Sequence, residues 1–293
     1  MKYPSFEKSM MQSRGNFDHE WTLIRQSYER NFLGRKHTDK QKKIAIPKII
    51  HQIWLGSELP ALYREFSQTW REQNPSWQYM LWTDETVQNE ELINQELYEK
   101  VSNFGAKSDI LRYEILYKYG GLYVDTDFYC LKSFNILQEN LSFYTGIHDH
   151  FNFALPNGLI ASVPGHPILE NIIYDLQNRK INDAMLSNPD ELMSLVGPGK
   201  FTEFVIKYLN THLRKDRIVI FPCTFFYPSP ASVRGMGVEY LMEFNKPESF
   251  ANHLWEVSWV KALPATKPEG FLPKMKMLMP KTLKQFIRDR VLR

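Results

Sequence analysis

Two aspartates, Asp125 and Asp127, stand one residue apart in the segment SDILRYEILYKYGGLYVDTDFY, directly after apolar strand-forming residues. On a β-strand, side chains two positions apart point to the same face, so this spacing predicts two carboxylates that meet one ligand. Unpaired carboxylates in an apolar strand repel each other. A divalent cation that bridges to an anionic ligand relieves this repulsion, and carboxylate oxygens suit Mg²⁺ or Mn²⁺. The alternative is a strand end at which both carboxylates face water.

Asp109 and Arg112 precede this pair and are three positions apart, a spacing that brings both to one side of a helix. By themselves they predict an internal ion pair on a solvated helix face. Ser108 or Asp109 is placed to cap that helix at its start, and Gly120 with Gly121 ends it. The glycine turn then delivers Tyr123 and the two aspartates on a following strand.

The surrounding elements predict an α/β fold with parallel strands. The segment IAIPKIIHQIWLG is typical of a buried strand, residues 62–73 of a helix, and QYMLWTD of a second strand. Residues 5–33 carry apolar side chains at helical spacing and end at Gly34, before a polar, basic run. We therefore divide the chain into a helical N-terminal extension with its linker (residues 1–43), a main domain (44–260) and a tail (261–293).

The composition excludes several classes of protein. The 293 residues are 43% hydrophobic and carry a net charge of +3, which argues against wholesale disorder and against nucleic-acid binding. Cys130 and Cys223 have no CxxC spacing, so neither a zinc site nor a disulfide framework is indicated. The N-terminus lacks the apolar centre of a signal peptide, and no run of about 18 apolar residues occurs. We expect a cytoplasmic protein that is soluble or peripheral on the inner face of a membrane.

A set of fixed positions in residues 108–127 resembles the SDxxRxxxLxxxGGxYxDxD signature of the glycosyltransferases with a DXD sugar-binding region. This is the group of glycosyltransferase family 32 and the capsular-polysaccharide type, and the clostridial glucosylating toxins are distant relatives. The segments IPKIIHQIWLG, NPSWQYMLWTD, PGHPIL, VGPGKFT and HLWEVSW resemble further blocks of the family. The resemblance covers roughly residues 44–260 and implies a nucleotide-sugar-binding α/β sandwich of the GT-A type.

The resemblance implies a role for each matching residue. Asp125 and Asp127 hold Mn²⁺ (or Mg²⁺) on the diphosphate of the donor, and His253 is a candidate third metal ligand or phosphate donor; its alternative is an ordinary, partly buried histidine. Asp109 and Arg112 reach the hydroxyls and oxygens of the donor sugar. The residues expected to bind the donor are Trp54, stacked on the base or else a core residue, Ser108, Tyr123, Ser258 and Trp259.

The implied reaction is transfer of a sugar, with retention of configuration, from a nucleoside diphosphate sugar to a glycan or a lipid-linked glycan. A UDP-sugar is favoured by the resemblance at Trp54, with GDP-mannose as the other donor considered. One alternative is a toxin or effector that glycosylates a protein. A second is a non-catalytic module that binds nucleotide sugars or glycans, and a third is a membrane-surface scaffold.

The tail from Lys261 onward contains nine basic and two acidic residues, so the basic surplus of the chain is concentrated there. Leu283, Phe286, Ile287 and Val291 share one face of a predicted helix. Such a basic, amphipathic end favours contact with an anionic membrane, where a lipid-linked acceptor would be found. The alternative is a terminal helix that docks on the domain through the same apolar face.

Overall fold

The computed structural model describes Phe6 and residues 17–34, 45–148 and 154–255. Two predicted site residues, Ser258 and Trp259, lie outside the described residues. The predicted linker (residues 35–43) and the basic tail (261–293) lie outside them as well. The division into extension, domain and tail therefore stays a prediction.

A central six-stranded sheet organises the described residues, and its strands are β1 (Ile49–Ile53), β2 (Gln78–Trp82), β3 (Gly121–Val124), β5 (Phe143–Gly146), β6 (Leu159–Ser162) and β7 (Ile218–Phe221). Their order is β2-β1-β3-β6-β5-β7. The pairs β1–β2, β1–β3 and β5–β7 are parallel, whereas β6 runs antiparallel to both of its neighbours. The predicted α/β class with a mainly parallel central sheet is confirmed.

A separate antiparallel pair joins β4 (Phe128–Cys130) to β8 (Ala251–His253). Because Phe128 lies opposite His253 in this pair, a late segment of the chain is brought beside the β3–β4 turn. The sheet thus connects two regions that are more than a hundred residues apart in the sequence.

Helices cover the sheet and connect its strands. They are α1 (Asp18–Tyr28), α2 (Ala61–Gln73), α3 (Asp84–Val87), α4 (Gln95–Lys100), α5 (Phe104–Tyr119), α6 (Asn135–Gln138), α7 (Pro167–Asn178), α8 (Asp183–Ser187), α9 (Pro189–Val196), α10 (Pro198–His212), α11 (Cys223–Phe226) and α12 (Val238–Met242). A π-helical turn, Glu29–Leu33, continues α1, and a 3₁₀ turn spans Ala231–Val233. In the described part of the chain we find no helix whose length and apolar character would let it cross a membrane.

The N-terminal helix α1 packs on the edge strand β7. The amide of Ile220 donates a hydrogen bond of 3.2 Å to the Ser27 hydroxyl, and the Tyr28 ring meets the Phe221 ring edge to face. Ser27 and Tyr28 are both almost fully buried. This helix therefore contributes to the main hydrophobic core.

The helix that carries Asp109 and Arg112 begins one turn earlier than expected. Its N-cap is Asn103, whose side chain accepts a hydrogen bond from the Ala106 amide, so the prediction that Ser108 or Asp109 caps it is wrong. The helix ends at Gly120 as predicted. Gly120 has a φ of +62°, and a Cβ there would lie 2.6 Å from the ring of Pro164, so only glycine fits.

Candidate active site

The two aspartates lie in a turn, because β3 ends at Val124 and β4 starts at Phe128. The expectation that they share one face of a continuous strand is therefore wrong, although the turn still brings their carboxylates together. Three hydrogen bonds to the main chain of Asp125 fix this turn. The Asp125 amide donates to the Gly158 carbonyl at 2.8 Å, and the Asp125 carbonyl accepts from the Phe128 amide at 3.3 Å and from the Gln52 side chain at 3.2 Å.

Asp125, Asp127 and His253 converge on one point. The His253 Nε2 atom lies 3.1 Å from the Asp127 Oδ1 atom, and one ligand atom from each of the three side chains lies within 4.8 Å of the other two. Two carboxylate oxygens and one imidazole nitrogen at this separation fit a divalent cation such as Mn²⁺. The geometry thus brings together the three residues that the resemblance indicated for the metal.

The Asp125 carboxylate sits between a cation and a second anion. Its Oδ1 atom accepts a hydrogen bond of 2.5 Å from the Tyr123 hydroxyl and lies 3.5 Å from the Arg112 guanidinium. Burial raises the pKa of Asp125, and the Asp127 carboxylate raises it further against the opposing charge of Arg112. Because 31% of its side chain is exposed, this carboxylate remains open to a ligand from solvent.

Asp109 and Arg112 form an ion pair of 3.0 Å that is buried, not on a solvated helix face as the spacing predicted. Arg112 also donates to the Asn157 carbonyl at 2.8 Å and lies over the Tyr123 ring. Burial raises the pKa of Asp109 to about 6, against the lowering effect of Arg112. Ser108 is half-buried, and its carbonyl accepts a hydrogen bond from the Arg112 side chain.

Asn157 is a site residue that sequence reasoning missed. Its side-chain amide donates to the Asp109 carboxylate at 2.8 Å and to the Tyr113 hydroxyl at 3.0 Å, while its carbonyl binds Arg112. It lies just before β6, and β6 pairs with β3. No spacing links position 157 to positions 109 and 112, so only the strand pairing reveals this contact.

His51 and Gln52, which the sequence placed only on the first strand, support the site from two sides. Gln52 is fully buried; its Oε1 atom accepts hydrogen bonds from Ser67 and Tyr79, and its amide holds the Asp125 carbonyl. His51 accepts from the Trp82 indole at Nδ1 and therefore donates from Nε2 to the Gly120 carbonyl. The two residues fix the start and the end of the segment that carries the aspartates.

Trp54 follows β1 and is half-buried, with its indole nitrogen bonded to the Ser57 hydroxyl and the Glu58 carbonyl. Both of these residues also line a cavity of about 520 Å³. The cavity lies between α2 and β2, and its lining does not include Asp125, Asp127 or His253. Ser67 and Tyr79 line this cavity and donate hydrogen bonds to Gln52, whose side chain donates in turn to the Asp125 carbonyl.

His253 is packed by aromatic rings. The Phe128 and Trp255 rings each lie 4.4 Å from its imidazole. Trp255 has a φ of +60°, a left-handed conformation that is strained for a bulky residue. His166 is buried and caps α7.

The comparisons with known proteins agree with the signature in residues 108–127. Residues 60–143 match the family model described as the glycosyltransferase sugar-binding region containing the DXD motif. The chain is 28% identical over 221 residues to inositol phosphoceramide mannosyltransferase 1 of Schizosaccharomyces pombe, covering 73% of this chain and 62% of that protein. It is 31% identical over 139 residues to the mannosyl phosphorylinositol ceramide synthase SUR1 of Saccharomyces cerevisiae, covering 45% of this chain and 35% of that protein.

Among solved structures, the chain is similar to the PaToxG glycosyltransferase, with a TM-score of 0.47 and 19% identity over 71% of this chain and 79% of that one. The chain spans less than two thirds of the length of the two curated relatives. The resemblance inferred from the sequence is confirmed, because the residues that match the model of the glycosyltransferase sugar-binding region containing the DXD motif include positions 108–127.

Proposed function

We propose that this chain is a metal-dependent, retaining glycosyltransferase that moves a sugar from a nucleoside diphosphate sugar to an acceptor hydroxyl. The observation that carries the proposal is the convergence of Asp125, Asp127 and His253 within 4.8 Å, beside the buried cation Arg112. The match of residues 60–143 to the DXD family supports it.

Asp125, Asp127 and His253 are the residues that would hold Mn²⁺ or Mg²⁺. When bound, this cation would neutralise the negative charge on the donor's diphosphate. Arg112, held by Asp109 and Asn157, contributes a fixed positive charge on the other side of Asp125. We propose that Asp109, Arg112 and Tyr123, with Ser108 on the same helix, form the surface against which the donor sugar is oriented.

In the reaction, the bond between the anomeric carbon and the diphosphate oxygen breaks, and a bond from that carbon to the acceptor oxygen forms on the same face of the sugar. The acceptor hydroxyl loses its proton, which the departing diphosphate oxygen takes up. This scheme therefore requires neither a covalent nucleophile nor a separate general base from the protein.

The identity of the donor is a separate proposal, which depends on the resemblance and on the named relatives. The resemblance at Trp54 favours a UDP-sugar, and by the same resemblance we propose Ser258 and Trp259 as donor-binding residues. The two relatives compared above are named for mannosyl transfer to inositol phosphoceramide, so GDP-mannose is the donor to test beside UDP-sugars. We propose a glycan or a glycolipid as the acceptor, because those two relatives are named for reactions of a lipid, inositol phosphoceramide.

A cytoplasmic location and contact of the tail (residues 261–293) with an anionic membrane are proposals that depend on the sequence alone. Deletion of residues 274–293 tests the second one. Loss of binding to anionic vesicles, with unchanged donor turnover, supports a membrane role for the tail; unchanged vesicle binding contradicts it.

A donor screen tests the proposed function. Purified protein with Mn²⁺ is given UDP- and GDP-sugars, and release of free nucleotide is scored beside the Asp125→Ala, Asp127→Ala variant. Turnover of one donor that the variant abolishes supports the proposal and identifies the sugar. Metal-dependent binding of a nucleotide sugar without turnover leaves the acceptor as the missing component of the assay. If no nucleotide sugar binds, the proposal is wrong.

A further inference from the structure

Four buried side-chain atoms of α11, of the residue that follows it and of β8 have no hydrogen-bond partner among the described residues: Thr224 Oγ1, Tyr227 Oη, Asn252 Oδ1 and His253 Nδ1. Buried polar groups are normally paired, so each exception calls for an explanation. Two of the four adjoin the carboxylates, because His253 contacts Asp127 and the Tyr227 ring packs against His253.

Tyr227 is the strongest hydrogen-bond donor among these four. Its side chain is 1% exposed, and its ring packs against the rings of Phe128 and His253 at centroid distances of 5.3 and 5.6 Å. Phe128 directly follows Asp127 in the sequence, and His253 contacts the Asp127 carboxylate. The Tyr227 ring is therefore packed beside the Asp127–His253 pair.

The main chain of Leu159 approaches the Tyr227 hydroxyl without completing a hydrogen bond. The proton of this phenol therefore has no acceptor among the described residues.

A buried donor without a partner destabilises the folded protein. A phenylalanine at position 227 keeps the ring contacts and removes the unpaired hydroxyl, so it is expected to fold at least as well.

We propose that Tyr227 is a positioning residue whose hydroxyl donates a hydrogen bond to an anionic oxygen in the Asp125–Asp127–His253 site once a divalent cation and a nucleoside diphosphate occupy it. The inference rests on the proposed function. The anionic oxygen belongs either to a carboxylate that the cation has drawn into place or to the bound diphosphate, and both accept the same hydrogen bond.

The test compares the wild type with Tyr227→Phe in two measurements: the midpoint of thermal unfolding of the free protein, and the dissociation constants for MnCl₂ alone and for UDP and GDP in the presence of Mn²⁺. We expect an equal or higher midpoint for Tyr227→Phe. We also expect its affinity for the filled state to fall about three- to tenfold, the value of one hydrogen bond. A loss with Mn²⁺ alone identifies a carboxylate as the acceptor, and a loss only with nucleotide identifies the diphosphate.

Tyr144→Phe is the matched control. Tyr144 is equally buried, but its hydroxyl already accepts a hydrogen bond from Gln138 at 3.3 Å, so this variant should lose stability and keep its ligand affinities. The inference is overturned if Tyr227→Phe lowers the midpoint of the free protein or binds all ligands as tightly as the wild type. If the wild type binds neither nucleotide, the proposed function itself fails, and this inference fails with it.

Discussion

The Oδ2 atom of Asp125 lies 2.5 Å from the point that a Cβ atom of Gly158 would occupy. The two residues are also joined by a main-chain hydrogen bond of 2.8 Å from the Asp125 amide to the Gly158 carbonyl. The absence of a side chain at position 158 is thus what lets the Asp125 carboxylate rest against the end of β6. Gly158 is not in a left-handed conformation, so its requirement is one of space only.

We predict that Gly158→Ala displaces the Asp125 carboxylate and weakens Mn²⁺ binding at least tenfold. The free energy of unfolding should change little, because the Asp125 carboxylate is partly exposed and can move aside. Gly199→Ala is the control: a Cβ there meets no atom within 4 Å, and alanine stabilises the first turn of α10 by about 0.5–1 kcal/mol. Calorimetric titration with MnCl₂ measures the difference, and equal affinities in the two variants would contradict the prediction.

We predict that His253→Ala lowers the affinity for Mn²⁺ by one to two orders of magnitude, because the remaining carboxylates supply only two of the three converging ligand atoms. Donor turnover should fall with it and recover in part at high Mn²⁺ concentration. Excess EDTA should abolish turnover in the wild type. Turnover that is insensitive to EDTA would show that the cluster does not serve a metal.

The buried carboxyl of Asp109 predicts a pH dependence of stability. Its pKa is raised to about 6 in the folded protein, above the ordinary value of 3.8, so between these pH values the folded state binds more protons than the unfolded state. Its contribution to stability therefore falls as the pH rises from about 4 to 6, by about 3 kcal/mol for two pKa units. Urea unfolding at several pH values should show this fall in the wild type relative to Asp109→Asn. If the stability of the wild type and of Asp109→Asn changed with pH in the same way, the prediction would be wrong.

His51 predicts the opposite trend over nearly the same range. Burial lowers its pKa from 6.5 to about 4, so the unfolded state binds more protons between these values and stability rises with pH, again by about 3 kcal/mol. Protonation at Nδ1 would also remove the acceptor of the Trp82 indole. In His51→Gln, this gain of stability between pH 4 and 6.5 should disappear. If His51→Gln lost stability at low pH as much as the wild type does, a group other than His51 would be responsible.

Local patterns in the sequence predicted most of the elements that position the site. The alternation and apolar runs near β1 and β2, and the glycines at the end of α5, indicated the parallel strands and the turn before the aspartates. These predictions succeeded because they depend on local backbone preferences and on which residues are apolar. The cap of α5 was misplaced because Ser108 and Asn103 are both good capping residues, and the sequence does not say which one begins the helix.

The sequence by itself determined that two carboxylates, an ion-paired arginine and a late histidine are present, and that the first three lie close along the chain. Only the tertiary structure decided that β8 pairs with β4, which brings His253 to Asp127 across more than a hundred residues, and that β6 brings Asn157 and Gly158 to Asp109 and Asp125. It also buried the Asp109–Arg112 pair, which helix spacing had placed in solvent. The physical reason is that strand pairing and burial depend on contacts between distant segments, which no local spacing records.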